Sequence, residues 1–295
     1  MKVLKIIGWT LLVLIVLTVI LIVAIGVFSS SNDDLEILAE ENSPSTLKGH
    51  TIDLVSFPLT SEADEGALSD FLSANNRVQV SDFLLFQNVD ENSDGFNQKA
   101  FLVERFDESN SWFSYTKKIP FSFFPIENMR FKIYSGSLTL SKYQATSAVK
   151  RLLPSVVDQS FSLTAFSPSA QVIAFKTEDN IDLFLINLDN IQTPETETAQ
   201  KAFLDYLKTD LIDNLPTDAY VIISGNWNYR LPGILDEQDN EKAIPLDWTH
   251  SGWQWIYDQS SSTYGMLLSD NIQIEEIEFF DGFKQNPFRI KLSLK

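Results

Sequence analysis

Residues Asp218 to Gly233 read DAYVIISGNWNYRLPG. Tyr220, Val221, Ile222 and Ile223 form a short apolar run between Pro216 and Gly225, a pattern that fits a strand buried on both faces. Asn226, Asn228, Tyr229 and Arg230 follow the run directly, so the strand carries polar groups at its C-terminal end, where sheet proteins often place binding and catalytic side chains.

Outward from this strand, Thr196 to Leu215 has the clearest helical spacing, with Ala199, Phe203, Tyr206, Leu207 and Leu211 on one face. Thr193 or Thr196 can cap it, and Pro216 lies just past its end. Upstream, Thr51 to Phe57 alternates as a strand, Glu65 to Asn75 is helically spaced, and Asp82 to Phe86 is a second apolar strand. Further strands are expected at Ala100–Glu104, Phe131–Tyr134, Ser137–Leu140, Val172–Phe175 and Ile181–Asn187. The C-terminal third adds Gly252–Ile256, Tyr264–Leu268, Ile272–Phe280 and Phe288–Leu294. Strands outnumber helices and come in runs, which argues for stacked sheets with a few amphipathic helices on their outer faces, an α+β fold.

The chain has 295 residues, of which 44% are hydrophobic, enough for a full core in one large domain. From Ile6 to Phe28 there is no charge, a run long enough to cross a bilayer as a helix and long for the apolar region of a signal peptide. A cleaved signal is the alternative, since Ala24 and Gly26 are small residues near its end. Lys2 and Lys5 precede the run while Asp33, Asp34 and Glu36 follow it, which predicts a cytoplasmic N-terminus and an external domain. In a Gram-negative cell this is a single-pass inner-membrane protein with its domain in the periplasm. Residues 1–28 are thus expected as stub and anchor, 29–49 as an acidic, Ser-rich tether, and 50–295 as the folded domain. There is no cysteine, which excludes disulfides, thiolate metal sites and a cysteine nucleophile. A formal charge of −18 repels phosphate backbones, so nucleic acid is disfavoured as a partner.

SGNWNYRLP resembles the GDxN segment of the endonuclease/exonuclease/phosphatase superfamily, and its YRLP tail is similar to the inositol polyphosphate phosphatase branch. Other segments resemble the family's in order. TIDLVSFPL has Pro58 where the family has a metal- or phosphate-contacting Asn. DFLLFQNVDE is similar to DxxxLQE, with Gln87 kept and Asn88 in place of the metal-binding Glu. GSLTLSK (Gly136–Lys142) looks like GxxxLSR. LINLDN keeps Asn187 of an NTHL strand but has Asp189 at the His. YGMLLS places Gly265 where an Asp often sits, and FKQNP resembles SDHxP with Phe283, Lys284 and Gln285 at Ser, Asp and His and with Pro287 kept. The resemblance covers roughly 50–295 and implies a four-layer α/β/β/α sandwich of two stacked mixed sheets.

In the family, the Asp of GDxN orients the attacking water and the Asn binds phosphate; Asn228 keeps the second residue type, whereas Asn226 replaces the Asp and cannot take a proton. Neither of the two histidines, His50 and His250, falls at a matching position. The resemblance therefore implies a vestigial pocket of Pro58, Asn88, Asp189, Asn226, Asn228, Gly265, Lys284 and Gln285, with no catalytic residue, no metal ligand and no cofactor. The expected function is that of a catalytically inactive, membrane-anchored binding or scaffolding module with a protein partner in or at the membrane. The alternatives are a metal-dependent phosphodiesterase with relocated ligands, using Mg and led by Asp189, and an unrelated structural subunit of a membrane complex. Asp53, Asp82, Asp189 and Asp247 are the acids that a relocated site would draw on. The aromatic groups Phe121, Phe123, Phe124 and Trp248, Trp253, Trp255, Tyr257 read as core, or as a binding surface if exposed.

Overall fold

The computed structural model describes residues 9–17, 35–39, 43–60, 63–91, 95–122, 130–154, 167–189, 197–232, 243–245, 248, 250–258 and 263–295. The described residues form two seven-stranded sheets. The first has the order β1-β5-β6-β4-β3-β14-β13, with β1 at Glu36–Ala39, β3 at Thr51–Pro58, β4 at Phe83–Asp90, β5 at Asn110–Ser122, β6 at Arg130–Ser141, β13 at Ile272–Phe279 and β14 at Phe288–Leu294. The second runs β11-β12-β10-β9-β8-β2, with β7 also paired to β8; its strands are β2 (Thr46–Leu47), β7 (Ser147–Leu152), β8 (Ser169–Thr177), β9 (Asp182–Asp189), β10 (Tyr220–Asn226), β11 (Gln254–Ile256) and β12 (Tyr264–Leu268). Both sheets are mixed: β3 with β4, β9 with β10 and β2 with β8 are parallel, and the other pairs are antiparallel.

Strand alternation explains the stacking. Ile52 and Leu54 of β3, Phe83 and Leu85 of β4, Leu183 and Leu185 of β9, and Tyr220 and Ile222 of β10 form one apolar cluster between the sheets. The intervening residues point the other way. Val55, Phe57, Leu84 and Phe86 pack with Leu68, Phe71 and Leu72 of α2 (Glu65–Ala74) and Leu102 of α4 (Gln98–Arg105) on the outer face of the first sheet. Ile186, Leu188, Val221 and Ile223 pack with Phe203 and Leu204 of α5 (Glu197–Asp205) on the outer face of the second.

Several expectations change in detail. Ala100 to Glu104 belongs to α4 and is no strand: Asn97 Oδ1 accepts the Ala100 N–H at 3.0 Å and starts a helix there. The helix expected over 196–215 is α5 only to Asp205, continuing as a π-turn from Tyr206 to Leu211 and a 3-10 turn from Ile212 to Asn214, with the Thr209 hydroxyl donating to Asp205 O at 2.7 Å. The tether contains two strands. β1 pairs antiparallel with β5, and β2 pairs in parallel with β8. Leu47 of β2 is only 1% exposed, so the fold takes in residues well before His50. A short helix, α3 (Asn76–Gln79), follows α2, and β5 and β7 were not anticipated.

At the N-terminus, α1 covers residues 9–17, with large apolar side chains such as Trp9 and Leu14 exposed. Among the described residues no helix is long and apolar enough to cross a membrane; the remainder of the 6–28 run lies outside them. Phe123, Phe124 and Asp247 also lie outside the described residues, as does the side chain of Phe121.

Candidate functional site

The inward-facing rows that are apolar through the middle of the sandwich turn polar towards one end. On β3 the series Ile52, Leu54 ends in Ser56; on β4, Phe83, Leu85 ends in Gln87; on β9, Leu183, Leu185 ends in Asn187 and Asp189; on β10, Tyr220, Ile222 ends in Ser224. These groups bond across the gap between the sheets. Ser56 Oγ and Ser224 Oγ lie 2.5 Å apart, and Ser56 also bonds the Tyr264 hydroxyl. That hydroxyl donates to Gln87 Oε1 at 2.8 Å, and Gln87 Nε2 donates to Asn187 Oδ1 at 2.7 Å. Asn187 Nδ2 in turn reaches Thr139 Oγ1 at 3.1 Å, and Thr139 donates to Gln171 Oε1 at 2.6 Å. Burial pushes the Tyr264 hydroxyl pKa well up, so it stays a neutral donor in this chain.

Above that network opens a cleft of about 270 Å³, lined by Pro58, Leu59, Thr60, Gln87, Asn88, Asp189, Asn226, Asn228, Lys284 and Gln285. The structure thus brings together all but one of the eight residues of the expected vestigial pocket. Gly265 is absent from the lining; a Cβ there would stand 2.5 Å from Leu231 Cδ1 and 2.8 Å from Ile256 O, so its role is to let β11 and the loop beyond it close over β12. Three backbone features shape the cleft. Asn88 has φ 54° at a bulge in β4 and holds Leu59 O through its Nδ2 at 3.1 Å. Asn226 Oδ1 accepts the Asn228 N–H at 3.0 Å, which folds the chain after β10 and puts Asn228 at φ 57°. Gly225 has φ 142°, and a Cβ on it would lie 1.9 Å from Leu188 O, so only glycine permits this approach of β10 to β9.

Asp189 is the most constrained group in the cleft. It ends β9, is 1% exposed, and receives the Thr116 hydroxyl on Oδ2 at 2.9 Å. Its register neighbours are Asn226 on β10 and Ser169 on β8. Burial pushes its carboxyl up to about 6; the Thr116 hydroxyl and the Asn88 N–H offset this only in part. Asp189 Oδ1 and Asn228 Nδ2 are both buried without a hydrogen-bond partner among the described residues. Lys284 is exposed at the rim and forms no ion pair among them. Thr116 was not anticipated from the sequence, because β5 itself was not; Thr60 and Leu59 directly follow Pro58.

The other acids lie apart from the cleft. Asp53 pairs with Arg289, and Asp82 Oδ2 accepts the Asp53 N–H at 2.9 Å, both at the start of their strands. Among the described residues no three of His, Asp or Glu gather as a metal would require. The family's divalent ion does not fit the residues present in the cleft, where a single carboxyl, several amides and a rim lysine stand in place of the paired carboxylates that hard cations favour. His250 Nε2 bonds Asp213 Oδ1 at 2.9 Å, with Trp253 beside it at 5.6 Å between ring centroids. Trp248, Trp253, Trp255 and Tyr257 are partly buried and pack against the outer cluster of the second sheet.

No family model matches the sequence, and no curated protein matches it. Solved structures do match in three dimensions. An endonuclease/exonuclease/phosphatase from Beutenbergia cavernae DSM 12333 is similar at a TM-score of 0.59 and 12% identity, over 83% of this chain and 72% of that one. An endonuclease/exonuclease/phosphatase family protein from Leptotrichia buccalis C-1013-b has a TM-score of 0.51 at 10% identity, over 83% and 99% of the two chains. ANGEL2, a 2',3'-cyclic phosphatase, has a TM-score of 0.51 at 9% identity, over 86% and 98%. The two stacked mixed sheets, their polar end and these likenesses together give the chain the endonuclease/exonuclease/phosphatase fold.

Proposed function

We propose that the chain is a catalytically inactive domain of this fold that binds a ligand in the cleft around Asp189 and Asn228. It is held at the inner membrane by residues 6–28, faces the periplasm, and serves a membrane-associated protein partner as a binding or scaffolding module. The observation that carries the reading is the charge inventory of the cleft. One buried acid, one rim lysine and a set of amides line it. Phosphoester hydrolysis in the resembling family uses a carboxylate-held metal, a water-orienting Asp and a His. Here Asn88, Asn226 and Asp189 occupy those positions, and amides neither hold a hard cation strongly nor accept water's proton. Asp189 alone is too few ligands for a relocated metal. The exposed apolar side chains of α1 support the anchor, as does the uncharged run that continues to Phe28.

The test uses the full chain in phospholipid nanodiscs, assayed with bis(p-nitrophenyl) phosphate and Mg²⁺ or Mn²⁺. No turnover above buffer is expected, and neither ion should raise the melting temperature. Metal-dependent turnover that disappears in Asn228→Ala would sink the inactive reading. The location is read separately, by protease protection of the domain in spheroplasts and intact cells.

A further inference from the structure

Among the described residues Asp189 Oδ1 is a buried acceptor without a donor and Asn228 Nδ2 a buried donor without an acceptor, and both residues line the same cleft. Such groups are costly unless something satisfies them. Resting on the binding role proposed above, the geometry points to a neutral polyhydroxyl ligand of single-sugar size, with one hydroxyl donating to Asp189 Oδ1 and another oxygen accepting from Asn228 Nδ2.

The complementarity follows from what each group can do. A hydroxyl donates one hydrogen bond and accepts others, so a polyol carries the kind of partner that each of the two atoms lacks. A phosphate dianion brings two negative charges up against that carboxylate, a repulsion that the single hydroxyl proton of inorganic phosphate does not offset. An ammonium ligand would suit Asp189 but has no acceptor for Asn228 Nδ2, and it would meet Lys284 at the rim. The remaining lining consists of amides and hydroxyls from Thr60, Gln87, Asn88, Asn226 and Gln285. Gln87 is already committed to Asn187 and Tyr264 and serves as a fixed floor. The volume of about 270 Å³ lies just below the ~300–1,000 Å³ of sites for drug-sized ligands, which suits a single ring. Asp189 thus sets specificity: its charge turns the pocket away from anions, while its lone pairs favour hydroxyl donors.

The experiment is saturation-transfer difference NMR on the full chain in nanodiscs at pH 7.5, with D-glucose and N-acetylglucosamine as neutral probes, and 31P line broadening of inorganic phosphate as the anionic one. At least one sugar should receive saturation while phosphate stays sharp. Asn228→Ala should weaken the sugar roughly ten-fold, and Asp189→Asn should gain phosphate broadening. Gln285→Ala, at the half-buried rim, should also weaken the sugar and guards against a folding defect in the buried variants. Phosphate broadening in the unaltered chain, or no saturation of either sugar, overturns the proposal. So does sugar binding untouched by both alanine variants. Each of these outcomes leaves the inactive reading standing, because that reading falls on turnover and not on which probe binds.

Discussion

Asp189 shows how one side chain couples the cleft to the stability of the fold. Its folded pKa, about 6, stands above the ordinary 3.8, so the native state holds a proton that the unfolded chain has released between those values. Its contribution is therefore most favourable below pH 4 and is lost as pH rises through 6. At about 1.4 kcal/mol for each pH unit, the ionised carboxyl costs roughly 3 kcal/mol at pH 7.5. Asp189→Asn keeps an acceptor for Thr116 and removes the buried charge. It is expected to unfold at higher denaturant than the unaltered chain at pH 7.5 and to match it near pH 4. Gly225 is the second decisive residue: its φ of 142° and the 1.9 Å approach to Leu188 O leave no room for a side chain. Gly225→Ala is expected to cost at least ~2 kcal/mol in urea unfolding and to displace Asn226 and Asn228 with it.

Among the elements missed, β1 and β2 are too short for a reading of periodicity, since four residues and two residues do not show alternation. Their partners make them strands. β1 adds to the open edge of β5, and Glu36 reaches Lys99 Nζ at 2.8 Å, an ammonium that also bonds Glu91 at 3.1 Å and lies over the Phe113 ring. β2 seats Leu47 in the cluster between the sheets. A chain beginning at His50 would therefore open the edge of β5, uncover the end of β8 beyond its pairing with β7, and remove a core side chain. Its melting temperature is expected to fall well below that of a chain beginning before Leu35, and Leu47→Ala alone should cost ~2–5 kcal/mol in chemical denaturation. α4 was misread for a related reason. Its apolar run suits strand or helix alike, and the signal that separates them is the Asn97 cap.

For the whole molecule, the polar network between the sheets ties the site to the stacking. Tyr264 from the second sheet bonds Ser56 and Gln87 of the first, so the floor of the cleft is also a cross-sheet fastening. Tyr264→Phe strands Gln87 Oε1 and is expected to cost ~1–3 kcal/mol, and its loss of sugar binding should exceed what its lowered stability explains, since the floor itself shifts. Alternation and caps along the chain determined most strands, α2, the α+β class and the collinear segments that resemble the endonuclease/exonuclease/phosphatase superfamily. Such patterns are local, repeating every two or 3.6 residues, and they survive in a single sequence. The collinear resemblance grouped Pro58, Asn88, Asp189, Asn226, Asn228, Lys284 and Gln285 with Gly265 in one pocket; tertiary structure alone decided that Gly265 packs beneath a loop instead and that Leu59, Thr60 and Gln87 join the lining. It alone left Asp189 Oδ1 and Asn228 Nδ2 without partners among the described residues. Burial and hydrogen-bond satisfaction depend on strands more than a hundred residues apart in the chain meeting face to face, and no local pattern carries that information.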